Sequence, residues 1–322
     1  MGCGGIAMAK NSIQFQKGLS LPKFLESYGT EQQCRDALFK LRWPNGFVCP
    51  ECGNETYCEI HSRKVYQCNH CHTQTSLTSG TIFASTKLPL TLWFLSIYLV
   101  TQRKNSISAL QLKREIGVSY NTAWKIKHKL MQVMLERQQG EILSGRIEID
   151  DAYIGGERPG KPGRGAYHKA PFIAVVETDA GTRKPQRIQL RAVTGFRGTE
   201  IERYAKANLT SGCCVVSDGL ACFAAVKKAQ CTHVPIVSVG GRKGAEHPSF
   251  KWVNTMLGNV KNAITGTLHS VSLKHVPRYL AEFEYRFNRR SRLGDMIERL
   301  TYVGLRTPPM PYRLLRLAEN CG

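Results

Sequence analysis

Apolar positions in residues 21–43, LPKFLESYGTEQQCRDALFKLRW, recur at helical spacing, with Phe24, Leu25, Tyr28, Cys34, Leu38 and Leu41 near one face. They predict a short helical lead-in. Residues 44–78 lose this period and turn rich in Cys, Asn, Gly and Thr, and 88–138 return to long helical spacing. The most apolar run, 88–100, is interrupted by Pro89 and Thr91 and is too short to span a bilayer, so it reads as a buried helix. From residue 146 short β-type runs appear at 146–154, 171–177, 187–194 and 213–217, with helical patterns at 200–208 and 221–229. Three strands, a helix, then a further strand and helices predict a mixed α/β sheet covered by helices. The Gly/Pro/Lys stretch 155–170 reads as a long hairpin loop. The pattern divides the chain into a helical lead-in (1–43), a cysteine-rich unit (44–86), a helical region (87–140), an α/β domain (146–292) and a C-terminal tail (293–322).

In the helical region, Ile107, Leu110 and Ile116 precede a Gly117-Val118-Ser119 turn, and Ala123, Ile126, Leu130 and Val133 continue on a second helix with Ser119 as its N-cap. The second helix begins with Tyr120, Asn121, Thr122 and Lys125, followed by Lys127 and Lys129. This matches a helix-turn-helix, in which early residues of the second helix meet base edges. An ordinary helical hairpin with a solvated lysine face has the same pattern. Charge favours the DNA reading: 45 Lys+Arg against 24 Asp+Glu give +21, which draws a polyanionic partner. The opening residues, MGCGGIAMAKNS, lack the basic and apolar regions of a secretory signal, so a cytoplasmic, nucleoid-associated protein is expected.

Cys49 and Cys52 form one C-x2-C pair, Cys68 and Cys71 another, and 15 residues lie between them, the spacing of a four-cysteine zinc site. Cys58, His70 and His72 are nearby substitutes. Four thiolates leave no open position for water, so the zinc is structural and the unit is a zinc ribbon.

Asp150 ends the apolar run in IEIDDAYIGG, and Asp218 ends the run in CCVVSDG. A carboxylate in a buried strand is costly unless it is paired or holds a metal, so two of them suggest a divalent-ion site. Each could instead cap a loop. Position 254, after a 35-residue interval from Asp218, is Asn, and Lys261 follows two helical turns later on the same face. Glu246, Asn259 and Asp151 compete for the third ligand position; Asp151 is expected to point away from Asp150 on an alternating strand.

With these motifs in hand, the chain resembles insertion-sequence transposases of the DDE type. The resemblance rests on IDDAYIGG, VVSDG, WVNTMLGNVKNAITGTLH and RYLAEFEYRFNRR, together with the ribbon and the helix-turn-helix. It is greatest with the branch whose third ligand is Asn followed by Lys. It implies an RNase H-like catalytic domain in which Asp150 bridges two Mg²⁺ ions (Mn²⁺ being an alternative), Asp218 and Asn254 bind one each, and Lys261 contacts the DNA end. It further implies strand cleavage at element ends, strand transfer into target DNA, and a homo-oligomer on DNA. Arg242, Lys243, the 155–170 loop and the run 286–292 are candidate backbone contacts. A non-catalytic DNA-binding regulator or a domesticated, inactive transposase remains the alternative.

Overall fold

The computed structural model describes residues 18–138, 140–155, 169–179, 181, 184–237, 247–268 and 271–318. Most of the 155–170 loop, together with Arg242, Lys243 and Glu246, lies outside them. The lead-in forms two helices, α1 (Leu21–Tyr28) and α2 (Glu31–Arg42). The break falls at Gly29-Thr30 because the Thr30 side chain accepts from Gln33 N–H while the Gln33 side chain reaches back to Thr30 N–H, a capping box that starts a second helix. The ribbon is a small antiparallel sheet of β1 (Tyr57–Ile60), β2 (Val65–Cys68) and β3 (Gln74–Thr75). Helices α3 (Leu90–Gln102), α4 (Ala109–Ile116) and α5 (Tyr120–Arg137) follow. Between α4 and α5, Gly117 closes the first helix at φ +69°, a left-handed position that favours glycine, and the Ser119 hydroxyl accepts from Thr122 N–H.

Residues 293–322 were expected to form a tail, but most of this segment returns to the N-terminal core. Ile297, Leu300 and Leu305, on and just after α9 (Met296–Gly304), are buried with Phe24, Leu38, Phe83, Phe94 and Ile126. Gly304 lies so close to the Phe83 ring that a Cβ there would meet Cζ at 2.9 Å. A short helix, α10 (Tyr312–Leu317), follows. The helical spacing of MIERLTYVG is visible in the sequence, but its partner lies some 200 residues earlier, which local periodicity cannot report.

The α/β domain has the expected mixed architecture: a five-stranded sheet, among the described residues, in the order β6-β5-β4-β7-β8. Strands β4 (Arg146–Ile154), β5 (Ala170–Thr178) and β6 (Pro185–Ala192) form an antiparallel meander. After α6 (Gly198–Asn208), β7 (Cys214–Ser217) pairs parallel with β4, and β8 (Thr232–Pro235) pairs parallel with β7. Strand β8 was not expected, because THVP is short, lacks alternation and ends in proline at the sheet edge. The segment 221–229 coils as a 3-10 helix. Both faces of the sheet are covered. Phe172, Ala174 and Val176 pack with α7 (Lys251–Ala263) and α8 (Val276–Asn288), whereas Ile173 and Val175 pack with α6 and the 3-10 segment.

Helix α8 ties the two halves together. Toward the sheet, Glu284 accepts from Leu190 N–H, and Asn288 both accepts from and donates to the backbone of Ile188, so two side chains one turn apart cover the free edge of β6. Toward α5, Glu282 forms a buried ion pair with Lys127 at 3.4 Å.

Candidate functional site

The four cysteines converge. Cys49 and Cys71 have sulfurs 3.5 Å apart and Cys52 and Cys68 3.6 Å apart, close to the roughly 3.8 Å between sulfurs that each sit about 2.3 Å from one tetrahedral zinc. Cys68 also accepts from His70 N–H and the Asn54 amide. Burial opposes its ionisation, but N–H donors from Cys71 and His70 win and bring the thiol down to about 6, so a thiolate is favoured. The donor set fits zinc. Cys58, His70 and His72 lie outside the cluster.

The acidic centre is a product of strand register. The parallel pairing of β4 with β7 reaches Glu148 opposite Val216, and two further residues on each strand bring Asp150 beside Asp218. Carboxylate oxygens of Asp150, Asp151 and Asp218 all lie within 4.8 Å of one another. Burial pushes Asp150 up to about 7; the N–H of Asp151 opposes this, the charges of Asp218 and Asp151 reinforce it, and Lys261 counteracts it. Three carboxylates held this close could hold a divalent cation, and their hard oxygen donors suit Mg²⁺ or Mn²⁺.

Asp151 corrects an expectation, since it joins the cluster instead of facing away. Alternation fixes only the Cα–Cβ direction, and past the last β4–β7 pair the β7 side of β4 is open while β5 still flanks the other side, so the two carboxylates can converge around that open edge.

Residues 142–288 match the ISXO2-like transposase domain, and residues 29–74 match the transposase zinc-ribbon domain. The chain carries a zinc ribbon and an ISXO2-like transposase domain. A protein from Halobacterium salinarum, described as an uncharacterized protein in transposable element ISH50, is 29% identical over 189 residues. That match covers 54% of this chain and 63% of the relative, so the chain spans less than two thirds of its length. Asp150, Asp218, Asn254 and Lys261 all fall inside the transposase-domain match, and the four cysteines fall inside the ribbon match.

Within the transposase domain, Asn254 lies in the first turn of α7, and how that turn is held was missed from sequence. Glu148, 1% exposed, accepts from the backbone N–H groups of Trp252 and Val253, both at 3.0 Å, and from Arg146 at 2.8 Å. Arg146 also donates to Ser249 O. The strand that presents Asp150 therefore grips the start of the helix that presents Asn254 and Lys261. The available signal was an acid in the middle of the apolar run IEID, which needs buried partners.

Ahead of the transposase domain, the helix-turn-helix divides its candidates. Tyr120, Asn121 and Lys125 are exposed at the start of α5, and Thr122 bonds to the Ser119 cap. Lys125 also stands over the Tyr312 ring. Lys129 and Lys127 are corrected. Lys129 donates to Ile82 O at 2.6 Å and lies over Trp93, while Lys127 is buried against Glu282. Both flank the buried stripe of Ala123, Ile126 and Leu130, so the core claims them. In the 286–292 run, Arg286 donates to Arg103 O and Lys104 O, and Arg290 donates to Pro185 O and Gln186 O; these two arginines are fasteners within the fold and not a free DNA face. Among the described residues no helix is long and apolar enough to cross a membrane.

Proposed function

We propose that the chain is a metal-dependent DNA transposase that cuts strands at element ends and joins them to target DNA. The observation that carries this reading is the convergence of the Asp150, Asp151 and Asp218 carboxylates next to a helix, clamped by Glu148, that bears Asn254 and Lys261. Bound divalent ions would supply activation of the attacking hydroxyl and stabilisation of the leaving oxygen in in-line displacement at phosphorus. Asp150 and Asp218 would hold the metal, with the Asn254 amide oxygen as the third ligand. An amide brings no negative charge, and Asp151 stands close enough to offset that. Lys261 orients a phosphate of the DNA end. Water first attacks the phosphodiester at the element end and releases a 3′-hydroxyl; that hydroxyl then attacks a target phosphodiester, expelling a new 3′-oxygen. The exposed start of α5, with Tyr120, Asn121 and Lys125, reads the duplex, and joining two ends in one event calls for a homo-oligomer assembled on DNA.

The test is Mg²⁺-dependent nicking of end-bearing DNA. Asp150→Ala and Asp218→Ala are each expected to lower cleavage by at least about 10³-fold while leaving DNA binding intact. Asn254→Ala should be similarly impaired and Asn254→Asp partly active. Full cleavage by both aspartate variants overturns the assignment, and DNA binding without cleavage by the unaltered chain would mark a non-catalytic regulator.

A further inference from the structure

Away from the acidic centre, the helices border an open cavity of about 670 Å³ lined by Arg137, Arg289, Arg299, Arg306 and Tyr285, with Asp295 and Glu298 as the acids on its wall. Its walls come from α2, α5, α8 and α9, so it lies where the ribbon's helix and the helix-turn-helix meet the transposase domain. Part of the positive charge is already paired. Arg289 contacts Glu141 at 3.1 Å and stacks on the Tyr285 ring, and Arg306 donates to Tyr302 O and stacks on that ring. Arg137 and Arg299 are only loosely held, 4.0 Å from Glu141 and 3.8 Å from Asp295, and each is about half exposed.

Tyr285 is the unusual member. It is 1% exposed, and its hydroxyl has no hydrogen-bond partner among the described residues, a costly arrangement for a buried polar atom. Burial raises its pKa, the charges of Arg289, Arg299 and Arg137 act against that rise, and Glu141 adds to it, so three of the four guanidiniums and one carboxylate lie within electrostatic reach of the hydroxyl. An orphan donor set among guanidiniums fits a tetrahedral oxyanion, which accepts from both.

We propose that this cavity binds a phosphate of the DNA backbone, held by Arg137, Arg299 and Arg306, and that the Tyr285 hydroxyl, closed off in the free protein, opens to donate to it. DNA is the occupant favoured by the +21 charge and by position: Arg137 is the last residue of the helix that begins with Tyr120. The two ends of that 18-residue helix are about 26 Å apart, less than one turn of duplex. The inference rests on the proposed DNA-binding function but not on catalysis.

The experiment measures binding of the zinc-loaded protein to end-bearing DNA across a salt series. Arg137→Gln with Arg299→Gln is expected to weaken binding about tenfold at ~0.1 M salt and to lower the slope of log affinity against log salt by about 1, with Tm unchanged. Tyr285→Phe separates a ligand role from a structural one. Removing the unpartnered hydroxyl should raise the Tm of the free protein by about 1–3 °C and yet weaken DNA binding several-fold. Unchanged affinity and slope in these variants, with the unaltered protein binding normally, overturns the proposal alone; no DNA binding by the unaltered protein overturns the functional reading itself. A parallel titration with inorganic phosphate identifies the source. If phosphate stabilises the unaltered protein but not the variants, and DNA affinity is the same in all, the cavity belongs to free phosphate and the DNA assignment is overturned.

Discussion

All four sulfurs of the ribbon come from one 23-residue stretch, Cys49 to Cys71, whereas the acidic centre gathers Asp150, Asp151 and Asp218 from two segments 68 positions apart in the chain. The ribbon cysteines lie in or beside the turns of one small sheet and can meet as soon as a single ion binds. Asp150 and Asp218 meet only after β4 and β7 have paired in register, and the first turn of α7, which carries Asn254, is fastened to β4 through the two backbone N–H groups that Glu148 accepts. The energetics differ accordingly. In the ribbon, metal binding and folding are one event. In the acidic centre the scaffold itself holds Asp150 buried and beside carboxylates that repel it, so the fold supports the site at some cost.

The largest expected effect tests this contrast directly. Removing zinc with a chelator, or substituting Cys49→Ser with Cys68→Ser, should unfold the ribbon with a loss of more than about 5 kcal/mol, seen as a separate low-temperature transition in calorimetry. Asp218→Asn should leave Tm unchanged or raise it, because it removes one of the crowded charges. A chelator-insensitive ribbon would end the comparison.

The next effect is intermediate, because Glu148 belongs to both fold and site. Glu148→Ala leaves two helix N–H groups and the Arg146 guanidinium without their buried partner and should cost about 3 kcal/mol in denaturant unfolding. Cleavage should fall at least tenfold as well, through weaker metal affinity. Glu148→Gln keeps an acceptor for the N–H groups and should recover part of both losses; stability recovered without cleavage would mean that Glu148 does not position Asn254.

The smallest effects separate neighbours on α5. Lys129→Ala should cost about 1 kcal/mol of stability, through the bond to Ile82 O, and leave DNA affinity unchanged. Lys125→Ala should leave Tm unchanged and lower the salt slope of binding by about 1. The reverse result would place the DNA face on the other side of the helix.

Much of the ribbon and of the strand pattern was legible in the sequence because the information is local. A pair of C-x2-C turns sets its own geometry, and the apolar run that ends at Asp150 is a strand whichever sheet it joins. The strand β8 was not legible, since THVP carries no period and is held mainly by β7. The lysines of α5 were legible only as charges. Which of them are buried depends on Ile82, Trp93 and Glu282, residues that approach from elsewhere in the chain.

The sequence by itself determined the four-cysteine cluster, the Gly117 and Ser119 punctuation of the helix-turn-helix, and the two aspartates that close apolar runs, because spacing, capping and alternation act over a few residues. Only the tertiary structure decided that Asp151 joins Asp150 and Asp218, that Glu148 fastens α7, and that most of residues 293–318 complete the N-terminal core. Those outcomes depend on register between strands and on contacts between distant segments. Neither leaves a local pattern in the chain.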